Sequence, residues 1–155
     1  RGGIDIATNE RAATRRADAN TPRVGRDGCR VPIPWEADAP AMGFNTTGKA
    51  WLPQPASYKI YARASQRGVA GSTLELYKRL IKVRKDHQMG HGSLIWADQH
   101  AGENSLAYIN NGVLVLANFT GSAISLPKGE LLATTQHDLT IEEVLEHDQV
   151  AWIKL

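Results

Sequence analysis

Six of the seven prolines in this 155-residue chain fall between Pro22 and Pro55, and that clustering limits the fold more than any other feature. Proline fixes φ, lacks an amide donor and pushes the residue before it toward extended geometry, so a stretch so punctuated builds neither a helix interior nor a central strand. Residues 1 to 71 are also rich in glycine and show no apolar period over any useful window. That is far longer than an ordinary connection. Yet the stretch carries Trp35, Met42, Phe44, Trp51, Leu52, Tyr58, Ile60 and Tyr61, too much apolar surface for a disordered tail. The expectation is a large irregular loop held against a partner surface.

Within it, Arg26-Asp27-Gly28-Cys29-Arg30-Val31-Pro32-Ile33-Pro34-Trp35 concentrates charge, a turn dipeptide, two prolines and an indole in ten residues. Asp-Gly is a strong turn signal, and the prolines after it stiffen an extended backbone. Arg26 and Arg30 offer rigid forks of donors, and Trp35 an apolar plate with one donor, a combination suited to planar or hydroxyl-rich ligands. The same residues would also serve a buried loop whose arginines satisfy carbonyls. Both readings stand at this point.

The pattern changes at residue 72. Ser72-Thr73-Leu74-Glu75 is a capping box, with Ser72 as N-cap and Glu75 reaching back to its amide, and helix formers follow to about residue 87. Glu75 at the start and Lys82, Arg84 and Lys85 at the end suit the macrodipole. Leu74, Leu76, Tyr77, Leu80, Ile81 and Val83 form a broad apolar face that needs a neighbour. From Leu94 onward short runs of β-formers alternate with turn residues: Leu94 to Ala97, Ser105 to Asn110, Val113 to Phe119, Ala123 to Leu126, Leu131 to Thr135 and Val150 to Leu155. Asn110-Asn111-Gly112 reads as a tight hairpin. Strands at this spacing predict an antiparallel sandwich or barrel. Leu139 to His147 reads as strand or loop.

Composition removes several function classes. Net charge is +2, distributed as +3 over residues 1 to 30, +4 over 31 to 100 and −5 over 101 to 155. The bases are not interleaved with aromatics as a stacking surface requires, which argues against nucleic acid. No apolar run approaches a membrane span, and Arg1-Gly2-Gly3 is unlike a signal peptide. Cys29 is the only cysteine, so an internal disulfide framework is excluded and a reducing cytoplasm is the expectation. His87 and His91 are four apart but Gly90 lies between them at a helix end; no metal and no cofactor are expected. Nucleophile-elbow and phosphate-loop patterns are absent. Asn45-Thr46-Thr47 and Asn118-Phe119-Thr120 match the glycan acceptor pattern, which is common by chance.

The order of these features resembles a known family. Arg26 to Trp35, Gly43-Phe44-Asn45, Trp51-Leu52-Pro53-Gln54-Pro55, Leu76 to Lys85, and Val113-Leu114-Val115-Leu116-Ala117-Asn118-Phe119 are similar, in sequence order, to the C-terminal part of α-glucosidases of glycoside hydrolase family 13, the α-amylase family, in its oligo-1,6-glucosidase-like branch. The resemblance runs from about residue 25 to 155; residues 1 to about 22 do not share it. It implies an α+β fragment. Residues 1 to 90 would be a remnant of a (β/α)8 barrel, with the long loop after strand 8 and the final helix at 72 to 87, and residues 91 to 155 a small antiparallel β-sandwich. A barrel needs about 250 residues, so the chain cannot contain one. Relatives cleave terminal α-linked glucose from small oligosaccharides with retention, using two carboxylates on barrel strands. The resemblance carries no catalytic residue onto this chain. It implies a substrate-side position for Arg30, Arg26 and Trp35 at the pocket mouth, an oligosaccharide as ligand and the missing barrel portion as partner. The alternative is a free-standing, non-catalytic β-sandwich module that binds carbohydrate or protein.

Overall fold

The computed structural model describes residues 30–119 and 121–155, so Arg26 and Cys29 lie outside the described residues. The chain divides into two compact units, one ending at Arg67 and the other covering Gly68–Leu155.

In the first unit the prolines do what their geometry demands. Residues 31 to 36 form no helix and no strand. The segment is anchored by main-chain bonds: the Trp35 and Glu36 amides both donate to the Met42 carbonyl, at 2.7 and 3.0 Å. That carbonyl is presented by a left-handed turn at Pro40–Gly43, with φ of 47° at Ala41, 49° at Met42 and 77° at Gly43. The left-handed region costs a non-glycine residue about 1–2 kcal/mol, so Ala41 and Met42 store strain. Gly43 is required, since a Cβ there would sit 3.1 Å from both the Glu36 nitrogen and Trp35 Cβ.

Two one-turn helices follow, α1 at Tyr58–Tyr61 and α2 at Arg63–Gln66, joined at fully buried Ala62. Sequence patterning did not anticipate them, because four residues are too few to show a period. Their stability comes from the loop. The Arg63 and Ala64 amides at the start of α2, which no intrahelical carbonyl can satisfy, donate to the carbonyls of Pro34 and Trp35 at 3.1 and 2.9 Å. Val31, Leu52 and half-buried Tyr58 form the small core of this unit.

The second unit opens with the expected helix, α3, at Thr73–Asp86. The Ser72 hydroxyl accepts from the Glu75 amide at 3.3 Å, and the Glu75 carboxylate accepts from the Gly68 amide at 3.0 Å and pairs with Lys78. Ser72→Ala should therefore cost about 1 kcal/mol, read as a lower thermal midpoint with part of the helical ellipticity lost. Of the six apolar positions only Val83 is buried; Leu74, Leu76 and Leu80 are half-buried, while Tyr77 and Ile81 stand 62% and 52% exposed. The face is thus two stripes rather than one. The stripe at 76, 80 and 83 turns toward the sheet of this unit, and 74, 77 and 81 lie on another side.

Seven strands follow: β1 (Leu94–Trp96), β2 (Ser105–Asn110), β3 (Val113–Asn118), β4 (Ile124–Ser125), β5 (Glu130–Thr134), β6 (Val144–Leu145) and β7 (Gln149–Lys154). Five make an antiparallel sheet in the order β1-β2-β3-β7-β5, and β4 pairs with β6 in a separate ribbon. Every residue of β3 is buried, because it is central and covered on both faces. Leu114 and Leu116 face a cluster with Ala107, Leu139, Leu145, Ala151 and Ile153. Val113 and Val115 face the other way, onto Val83, Met89 and Leu132. Arg79 ties the helix to β5 by donating from Nε to the Leu132 carbonyl at 2.6 Å.

The β2–β3 hairpin turns through Asn111 and Gly112, with φ of 49° and 78°. Positive φ at both central residues is the primed turn that matches strand twist. The ambiguous segment 139 to 147 forms a turn and then β6. Its Glu143 carboxylate accepts from the Thr140 amide at 2.6 Å, the reach-back of a capping box without a helix behind it. β1 lies at the sheet edge: its three side chains are each more than half exposed, and only the following Ala97 is buried.

Candidate functional site

The loop from Arg30 to Trp35 alternates inward and outward residues. Val31 and Pro34 are buried, whereas Arg30, Ile33 and Trp35 are exposed. The Trp35 main chain is held at both ends, its amide by Met42 and its carbonyl by Ala64. Its indole is 45% exposed all the same. With the main chain fixed, contact between the indole and a flat apolar surface would cost side-chain freedom but no further backbone freedom. Arg30 presents a guanidinium on the same segment. Arg26 lies outside the described residues.

The left-handed turn borders a broad depression of about 690 Å³, lined among others by Asp38, Ala41, Met42, Lys49, Gln54 and Lys59. Lys59 pairs with Asp38 at 2.9 Å, and the Gln54 side-chain amide donates to the Pro32 carbonyl at 3.1 Å. Asn45 organises the neighbouring turn, donating to the Lys49 carbonyl and accepting from the amides of Thr47 and Gly48. The lining mixes these polar and charged groups with Ala37, Ala39, Ala41 and Met42. Sequence reasoning did not single out Asp38, Lys49 or Lys59, since scattered lysines and acids carry no pattern; the turn that gathers them is visible only in three dimensions.

Outward aromatic and aliphatic surface is plentiful in this unit. Trp51 is 87% exposed, with Phe44, Ile60 and Tyr61 each more than half exposed. Among the described residues no three His, Cys, Asp or Glu side chains are grouped to hold a metal ion. No described helix is long and apolar enough to cross a membrane. The two acceptor tripeptides also separate. Asn118 is 1% exposed and its amide nitrogen donates to two carbonyls, which leaves no access for a glycan in the folded protein.

Residues 2–92 match the family described as alpha amylase, catalytic domain. The chain is similar to a salivary alpha-glucosidase of Aedes aegypti, 33% identical over 101 residues that make up 65% of this chain and 17% of that protein. A probable alpha-glucosidase of Rhizobium meliloti is 30% identical over 131 residues, 80% of this chain and 23% of its own length. An oligo-1,6-glucosidase of Parageobacillus thermoglucosidasius is 28% identical over 137 residues, 84% of this chain and 24% of that protein. The chain therefore spans less than a quarter of each of these relatives. The family match starts at residue 2, which corrects the motif-based start near residue 25. The Arg- and Ala-rich opening residues lack the Trp, Pro and Cys that make a motif distinctive.

Proposed function

Because the chain belongs to the α-amylase family, we propose that it is the C-terminal part of an α-glucosidase that releases terminal α-linked glucose from small oligosaccharides. The mechanism we assign is retaining, with a carboxylate nucleophile and a carboxylic acid supplied by barrel strands outside this chain. Residues 1–90 are the barrel remnant and 91–155 an antiparallel β-sandwich. The reading is supported by the family match over 2–92 and by a chain length well below the roughly 250 residues of a barrel. Exposed apolar side chains, Trp51 and Ile60 in the first unit, Tyr77 and Ile81 in the second, are surfaces the absent barrel portion would cover. The lone cysteine fits a cytoplasmic enzyme.

The observation that carries the site is the clamped main chain of Trp35 beneath an exposed indole. Trp35 walls the mouth of the pocket, and Arg30 and Arg26 donate to hydroxyls of the acceptor sugar. The chain alone is inactive, so hydrolysis of an aryl α-glucoside by residues 1–155 would overturn the proposal. A chimera that joins the chain to the catalytic portion of the Rhizobium relative tests the rim. Arg30→Ala should raise KM by roughly tenfold or more, the worth of one charged hydrogen bond at about 1.5 kcal/mol or above, with kcat little changed. Unchanged kinetics would make Arg30 a structural residue.

A second reading has one observation in its favour, the 87% exposed Trp51 indole. A free-standing module would use it to stack on a sugar ring. Saturable binding of maltose or isomaltose by the isolated chain, lost on Trp51→Ala, would favour that reading.

A further inference from the structure

Asn111 closes the β2–β3 hairpin and at the same time holds the end of α3. Its side-chain nitrogen donates to the His87 carbonyl at 2.7 Å, and His87 is the C-cap, one of the terminal residues whose carbonyls lack intrahelical partners. Next to it, the Asn110 side-chain oxygen accepts from the Gly90 amide at 2.7 Å. The hairpin tip is thus a clasp on the segment that leaves the helix. Of the seven asparagines in the sequence, only Asn111 is followed by glycine.

That pairing is chemically labile. Glycine has no side chain to shield its main-chain nitrogen, and a Cβ built at Gly112 meets nothing within 4 Å, so the tip is open to water. Among the described residues the Gly112 nitrogen donates to no main-chain acceptor. We infer that Asn111 is a site of spontaneous deamidation, held in check by its bond to His87, and that its conversion releases the hairpin from the helix end. The deprotonated Gly112 nitrogen attacks Asn111 Cγ, ammonia leaves, and a five-membered succinimide forms. Water then opens the ring at either carbonyl, to give aspartate or isoaspartate. No oxidant or reductant is needed.

The products are incompatible with the clasp. Aspartate loses the donor and sets a carboxylate against the His87 carbonyl at the negative end of the helix. Isoaspartate adds a backbone carbon to a two-residue turn whose register is fixed by the Asn110–Val113 pair. Since the attack requires Asn111 to leave His87, the rate follows local opening of the hairpin tip.

The test is a mass-spectrometric peptide map of residues 1–155 incubated in mildly alkaline buffer, beside a synthetic peptide spanning Ile109 to Val113. Asn111 should gain the mass difference between water and ammonia while the other asparagines do not, several-fold more slowly than in the peptide. Urea should erase that protection. The Asn111→Asp chain should melt below the unmodified one. Three results would overturn the inference: no gain at Asn111 once the peptide has converted, a native rate equal to the peptide's, or an Asn111→Asp chain that melts like the original.

Discussion

Asn118→Leu is expected to destabilise the chain by about 3 kcal/mol or more, although leucine keeps the same branched outline. Asn118 is the one buried polar side chain among the described residues, and it is fully engaged. Its nitrogen donates to the carbonyls of Ser122 and Leu145, each at 3.0 Å, and its oxygen accepts from the Gly121 amide at 3.1 Å. Replacement removes the partner of three main-chain groups: the buried Leu145 carbonyl, whose orphaning costs about 1–3 kcal/mol, and the part-buried Ser122 carbonyl and Gly121 amide, which add less. The neighbouring turn cannot relax to repair them, because even a Cβ at Gly121 would stand 2.2 Å from the Glu103 carbonyl. Denaturant melts of Asn118→Leu and Asn118→Ala decide the matter. Similar losses in both place the cost in hydrogen bonding, whereas a wild-type midpoint for the leucine variant would assign it to packing.

Leu116→Ala should cost about 4 kcal/mol, near the upper end of large-to-small core changes. Leu116 is fully buried on the central strand, and its register partners on either side are Ala107 and Ala151. Two alanines carry only methyl groups, with no rotamer to swing into the space, so most of the cavity would persist. Against a net domain stability of about 5–15 kcal/mol, that loss removes a large share of the folding free energy. A calorimetric scan in which it loses only a fraction of a kcal/mol would mean that Leu139 and Leu145 collapse into the void.

Much of the second unit was legible in the sequence because its signals are local. The Ser72 cap, the Asn111-Gly112 turn and the run from Val113 to Asn118 each name their structure through residues within a few positions. The ends of β2 follow from the turns that bound it. The exposure of β1 was not legible, because three consecutive apolar residues do not reveal that the strand lies at a sheet edge with a neighbour on one side only. Tyr77 and Ile81 were assigned the same face as Val83, yet the helix presents two separate stripes. In the first unit the prolines excluded helix and strand over residues 31 to 36 but could not say what holds that stretch, and the two one-turn helices beyond Pro55 were missed.

The candidate site divides along the same line. Arg30 and Trp35 stood out because their chemistry exceeded what a core requires. Neither their sequence neighbours nor their type reveals that Met42, strained into the left-handed region, is what pins the Trp35 backbone, or that Pro34 and Trp35 carbonyls supply the missing acceptors of α2. The Asn118 side chain was read only as a glycan acceptor, and burial reverses that meaning.

Sequence alone determined where regular structure starts and stops, where the chain must turn and which family it resembles, since caps, turns, periodicity and motif order are properties of adjacent residues. Tertiary structure alone decided that β5 pairs with β7, that the hairpin tip closes the helix end, and that one asparagine is sealed while another is open to water. Those outcomes depend on contacts between residues dozens of positions apart, whose free energy exists only once the core has brought them together.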